Sequence, residues 1–210
     1  MLKLSSTMVD RVARRPGGLL GYLLYRFPLG HRIGFNLALK RLPPERDDFV
    51  LEVGCGGGVF LRRLLKSGCR AVAVDHSPDM VANSARLNAA ALANGRLTLH
   101  EADAAALPVA SGTVDKVYCL NAFFFFPRPA ESLKEMARVL KPGGRLALIT
   151  SPPAFRAQIA RISASMAENM RFDEPETLAR WALDAGLMPI ETREATGAGF
   201  LFIASREDRT

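Results

Sequence analysis

Residues 49–59 read FVLEVGCGGGV, an apolar, β-branched run that breaks into four glycines within five positions. Such a run reads as a short buried strand. Glycines directly after a strand let the backbone turn sharply and approach a ligand closely. The next segment, VFLRRLLKSG (59–68), has a helical period and stops at Gly68. Two familiar glycine loops do not fit. A phosphate loop needs a lysine followed by serine or threonine directly after its last glycine, and Val59-Phe60 stand there instead. A dinucleotide fingerprint needs a third glycine where Val59 or Leu61 stands. What remains is an acid followed by alternating glycines: Glu52, Gly54, Gly56 and Gly58.

Working outward, strand and helix signals alternate. RAVAVD (70–75) predicts a second strand, and SPDMVANSARLNAAALANG (77–95) a helix opened by a Ser-Pro cap. RLTLHEA (96–102) and VDKVYCL (114–120) predict strands three and four. PAESLKEMARVLKPGG (129–144) predicts a helix ended by Pro-Gly-Gly, and RLALIT (145–150) a fifth strand. After a helix at 174–186, the stretches MPIETREA and GFLFIAS flank TGAG, the pattern of a closing hairpin. Alternation of this kind implies right-handed crossovers and a doubly wound, mostly parallel sheet. The expected fold is α/β and Rossmann-like, with seven strands, a C-terminal antiparallel strand and a helical N-terminal arm or lid. Ligands in such sheets bind beyond the carboxyl ends of the strands.

The proline-marked RLPPERDD divides the chain into an arm, residues 1–46, and a domain, residues 47–210. The arm carries nine Lys/Arg against Asp10 and Glu45, so it holds the whole net charge of +7 beside an apolar LLGYLLYRF. A basic amphipathic arm suits a lid or peripheral contact with an anionic membrane surface. The longest apolar stretch near the start is interrupted by Gly21, Arg26 and Pro28, and resembles neither a signal peptide nor a spanning helix. Three cysteines without C-x-x-C spacing argue against a disulfide framework or a structural metal, and fit a cytoplasmic protein.

The alternating-glycine loop resembles that of the class I S-adenosylmethionine-dependent methyltransferases, and in particular their small-molecule, ubiquinone/menaquinone-biosynthesis-like branch (methyltransferase type 11). DHSPDM (75–80), EADAAALP (101–108) and ARVLKPGGRLAL (137–148) resemble later segments of that family in the same order. The resemblance implies S-adenosyl-L-methionine as cofactor, released as S-adenosyl-L-homocysteine. It implies that Glu52, Gly54, Cys55 and Gly56 surround the methionine end and that Asp75 accepts the ribose hydroxyls. His76 and Met80 would border the ribose and adenine. Asp103 and the amide of Ala104 would meet the adenine edge, and Asn121 would face the methionine side. Taken by itself, Asp103 also reads as a helix cap.

Four phenylalanines, Phe123–Phe126, follow the fourth strand. Placed there, some of the four are expected to pack beneath the next helix, and at least one, Phe123 or Phe124, to border a small or medium hydrophobic acceptor. A cap at 152–172 and the arm are expected to cover it. Methyl transfer is an in-line displacement that needs a base only if the acceptor must lose a proton; His31 and Tyr118 are the candidates, and neither is singled out. Asn-Ala-Phe-Phe (121–124) stands where an Asn-Pro-Pro-Tyr element would mark methylation of amide or nucleobase nitrogen. Together with the absence of basic-aromatic interleaving in residues 47–210, this argues against a nucleic-acid partner.

Overall fold

The computed structural model describes residues 31–162, 164–195 and 199–207. The first thirty residues of the basic arm and the centre of the TGAG turn lie outside them. Seven strands form one sheet in the order β3-β2-β1-β4-β5-β7-β6. They are β1 (Phe49–Val53), β2 (Arg70–Asp75), β3 (Leu97–Glu101), β4 (Val114–Leu120), β5 (Leu140–Thr150), β6 (Leu187–Ala195) and β7 (Gly199–Arg206). The pairings from β3 across to β5 are parallel, and β7 runs antiparallel between β5 and β6. Strand order reverses between β1 and β4, the point at which sheets of this kind bind ligands in a crevice at the carboxyl ends of their strands. The expected hairpin forms, but its second strand inserts inside the sheet rather than ending it. Phe200, Phe202 and Ala204 face one layer of core, while Leu201 and Ile203 face the other.

Each face of the sheet carries helices. On one lie α1 (Arg32–Arg41) and α2 (Val59–Leu64), whose Phe35, Ala38, Phe60 and Leu61 pack over Val50, Tyr118 and Ile149. On the other lie α5 (Pro129–Val139) and α8 (Pro175–Asp184), with Leu133, Met136, Leu178 and Ala182 against Val53, Val117 and Leu148. Helix α1 is fastened at several points. Phe35 stacks on Phe60 at 5.0 Å, the Tyr118 hydroxyl donates to the Leu42 carbonyl at 2.8 Å, and Arg41 pairs with Glu191 at 2.6 Å. Lys116 closes the linker by donating to the Pro43 carbonyl at 2.9 Å and to Asp48 at 2.7 Å. The described end of the arm is therefore a core helix as well as a basic surface.

Two elements differ from expectation. The helix at 77–95 is two, α3 (Pro78–Leu87) and α4 (Ala89–Ala93). Asn88 stands between them and donates from Nδ2 to the carbonyls of Ser84, at 3.0 Å, and Gly58, at 3.2 Å. A short amide competes in this way with the helix's own backbone bonds. The helix at 129–144 stops at Val139, and Leu140–Gly144 already belong to β5. Leu140 pairs with Val114 and Arg145 with Lys116, so the Pro-Gly-Gly forms a bulge. Between β5 and α8 come α6 (Arg156–Ile162) and α7 (Ala164–Asn169), packed on each other.

Candidate functional site

The loop after β1 shows why its glycines alternate. Gly54, Gly56 and Gly58 have φ of +76°, +50° and +77°, a left-handed backbone that side chains disfavour by roughly 1–2 kcal/mol per residue. Space is as restrictive as conformation. A β-carbon on Gly54 would collide with that of Ala122, and one on Gly58 with the ends of Ser84 and Asn88. The N–H groups of Gly54 and Cys55 both donate to the Val74 carbonyl, at 2.9 and 3.1 Å, which lays the loop across the end of β2.

Asp75, the last residue of β2, then locks the loop. Its Oδ2 accepts from the Gly56 N–H at 2.8 Å and its Oδ1 from the Ser77 N–H at 3.0 Å. Burial raises its pKa, and those two N–H groups work against the rise. A carboxylate can accept about four hydrogen bonds, so capacity is left for a ligand's hydroxyls. Ser77 caps α3 by accepting from the Met80 N–H at 3.4 Å, and Met80 is buried beneath. His76 is exposed, its Nδ1 3.5 Å from Asp75 Oδ1.

Glu52 is buried on β1, and its Oε2 has no hydrogen-bond partner. Burial first, and the charge of Asp75 second, push its pKa well above the ordinary carboxylate range. Two buried acids that no lysine or arginine pairs with among the described residues disfavour a phosphate and fit a positively charged ligand. Across the crevice, Asn121 is the one non-glycine residue with positive φ, +58°, among those described. Its buried Nδ2 is likewise unpartnered. An unpaired acceptor near the end of β1 and an unpaired donor after β4 match the ammonium and carboxylate of an amino-acid moiety. By donor set and charge, the residues present fit S-adenosylmethionine.

Asp103, after β3, is half exposed and caps its own turn, its Oδ1 accepting from the Ala105 N–H at 2.8 Å. Arg128 holds its Oδ2 at 2.6 Å, and the two contacts lower its pKa. Ala104 is buried beside it. Cys55 is a buried free thiol whose pKa burial raises.

The acceptor-side expectations need correction. Phe123 is fully buried in the core under α5 and α8, and Phe124 nearly so. The half-exposed rings are Phe125 and Phe126. Phe126 meets Phe123 edge-on at 5.7 Å, and its Cζ lies 3.8 Å from where a Gly54 β-carbon would stand. The aromatic contact to the glycine loop thus comes from the fourth phenylalanine. Tyr118 is wholly buried with its hydroxyl committed to Leu42, and burial raises its pKa, which takes it away from proton transfer at the crevice. His31 stands exposed at the start of α1, edge-on to Phe35 at 6.0 Å.

Other residues at this end carry no motif. Thr150, ending β5, has a buried hydroxyl without a partner. Arg171 donates from its backbone N–H to the Phe124 carbonyl at 2.9 Å and from Nη1 to that of Phe126 at 2.6 Å. Its only trace in the sequence is the Arg-x-Asp of RFD (171–173). Among the described residues, no helix is long and apolar enough to cross a membrane.

A methyltransferase-domain family model matches residues 51–148. The chain is 33% identical over 150 residues to the ubiquinone biosynthesis O-methyltransferase of Xanthomonas euvesicatoria pv. vesicatoria, covering 66% of this chain and 62% of that protein. The enzyme of the same name from Xanthomonas campestris pv. campestris (strain B100) is 32% identical over 168 residues, 74% of this chain and 68% of the relative. The chain thus spans about two thirds of the length of these curated relatives. Among solved structures, it superposes with a TM-score of 0.76 on a chain from the complex of the Haloferax volcanii Trm112 methyltransferase activator with a methyltransferase, at 23% identity over 88% of this chain and 93% of that one. Geranyl diphosphate C-methyltransferase from Streptomyces coelicolor A3(2), solved with S-adenosyl-L-homocysteine, gives a TM-score of 0.70 at 17% identity, over 83% and 76% of the two chains.

Proposed function

This chain belongs to the class I S-adenosylmethionine-dependent methyltransferases, and on that premise we propose that it methylates an oxygen of a small hydrophobic acceptor. The observation that carries the reading is the pair of buried acids, Glu52 and Asp75, around a loop of three left-handed glycines. A nucleotide loop would supply lysine and exposed N–H groups; this one supplies two buried acids and an unpaired carboxyl oxygen. When bound, the cofactor supplies an activated methyl group.

The chain's own residues bind and orient. Asp75 holds the Gly56 amide while keeping acceptor capacity for the ribose, Glu52 faces the positive end, and Asn121 the carboxylate. Asp103, Ala104, His76 and Met80 border the nucleoside. Phe125 and Phe126, with Phe124 behind them, give the acceptor an apolar wall that keeps water from the reacting atoms. The names of the curated relatives favour oxygen as the atom methylated and a quinone-like ring as the acceptor. The basic arm suits docking on an anionic membrane where such a molecule resides.

Calorimetric titration with S-adenosyl-L-homocysteine, NAD and ATP tests the cofactor, and labelled methyl transfer to a hydroxylated quinone tests the acceptor. S-adenosyl-L-homocysteine alone is expected to bind. Asp75→Ala should weaken it by roughly ten- to a hundredfold, the loss of hydrogen bonds to a charged group. Comparable binding of NAD or ATP, or an unchanged dissociation constant in the variant, would overturn the reading.

A further inference from the structure

We propose that Arg171 is the positioning residue of the acceptor side, coupling the cap before α8 to the glycine loop. The inference rests on the reading above for what the crevice binds. The side chain sits where three segments meet. Besides the Phe126 carbonyl, it engages Asp173 from Nε at 3.2 Å and Nη2 at 2.5 Å, while the backbone N–H of the same residue holds the Phe124 carbonyl. Its guanidinium lies 5.2 Å over the ring of Phe123 and 5.5 Å over that of Trp181 on α8. A planar fork that binds a carboxylate with two nitrogens, a carbonyl with a third and stacks on two rings is work for arginine; lysine has neither the plane nor the fork.

The chain immediately before Arg171 is the end of the cap, where Ala167 and Met170 are buried. The carbonyls that Arg171 grips, those of Phe124 and Phe126, belong to the turn leaving β4, far back along the chain. That turn abuts the glycine loop, since Ala122 and the Phe126 ring occupy the space beside Gly54. A continuous set of contacts therefore runs from Gly54 through Phe126 and Arg171 to the cap. Filling the loop with cofactor stabilises the turn, and the turn holds the cap closed through Arg171. Closure before the acceptor enters orients the apolar wall and excludes water.

Two probes report on this without an acceptor. Trp181 is the only tryptophan, so its emission reads the guanidinium above it. Arg156 and Arg161 on α6 are exposed tryptic sites within the cap, and cleavage there follows the population of open cap. In the wild type, S-adenosyl-L-homocysteine is expected to shift the Trp181 emission and slow cleavage at both arginines by about tenfold. In Arg171→Gln the calorimetric dissociation constant should rise by no more than about the tenfold that the coupling itself supplies, while both responses vanish. Arg171→Lys, which keeps the charge, should recover neither. A residue that merely stabilises the fold would lower the melting temperature and leave the ligand-dependent responses in place. Bound S-adenosyl-L-homocysteine with silent Trp181 and unprotected Arg156 in the wild type sinks the coupling alone. Full recovery by Arg171→Lys, or persistence of both responses in Arg171→Gln, sinks the role of the fork. Failure of the ligand to bind the wild type sinks the cofactor reading itself, and the coupling with it.

Discussion

The glycine loop after β1 and the phenylalanine turn after β4 lie at the ends of adjacent strands, yet opposite means hold them. The loop is fixed by backbone: three left-handed glycines, three N–H groups on Val74 and Asp75, and a neighbouring helix too close for a β-carbon. The turn has backbone bonds of its own but is tied down from far along the chain, by the backbone and side chain of Arg171 above all, and leaves Phe125 and Phe126 partly exposed. A region that binds a constant ligand can be built rigidly from local conformation. One that must accept a particular substrate gains specificity from contacts that can change without disturbing the sheet.

Substitutions can break or sharpen that contrast. The largest effect is expected from Gly58→Ala, which combines a left-handed alanine with overpacking against Ser84 and Asn88. Together these cost about 2–5 kcal/mol, a fall in melting temperature on the order of 10 °C. Adding Ser84→Gly should recover part of it in a thermal melt. A Gly58→Ala protein as stable as the wild type would mean that the loop is not limited by its backbone.

Glu52→Gln should act through pH. With its folded pKa raised, Glu52 holds more protons in the folded than in the unfolded chain. Wild-type stability therefore falls as pH rises from the unfolded value, about 4.3, through the raised folded value. The variant lacks that titration, so its melting temperature should gain on the wild type from pH 4.5 upward and level off above the raised pKa. Its affinity for the cationic cofactor should fall at the same time. A difference independent of pH, or one of opposite slope, would show that Glu52 is already paired.

The smallest effect is expected from Thr150→Val, which removes an unpartnered buried hydroxyl with little change of shape. Such a replacement is near neutral, within about 1 kcal/mol. The expected outcome is an unchanged or slightly raised melting temperature. A loss greater than this would show that the hydroxyl has a partner.

Much of this molecule is legible in the chain because its causes are local. The strands FVLEV and RAVAVD, the Ser77 cap, and the acids ending β1 and β2 depend on neighbours within a few residues, and all stand where the residues predict. The breaks are where a distant partner wins. Asn88 splits a helix because Gly58, thirty residues away, offers a carbonyl. LKPGG leaves its helix because Val114 and Lys116 offer a strand to pair with.

The run of four phenylalanines marks the boundary most plainly. Composition and position alone put an aromatic cluster at the carboxyl end of the fourth strand, beside the loop that receives the cofactor. Only the tertiary structure decided that Phe123 turns into the core while Phe126 turns toward Gly54. Consecutive aromatics carry no period that assigns a face, and their directions follow from the Arg171 contacts and the packing of α5 and α8, which no short stretch of sequence encodes.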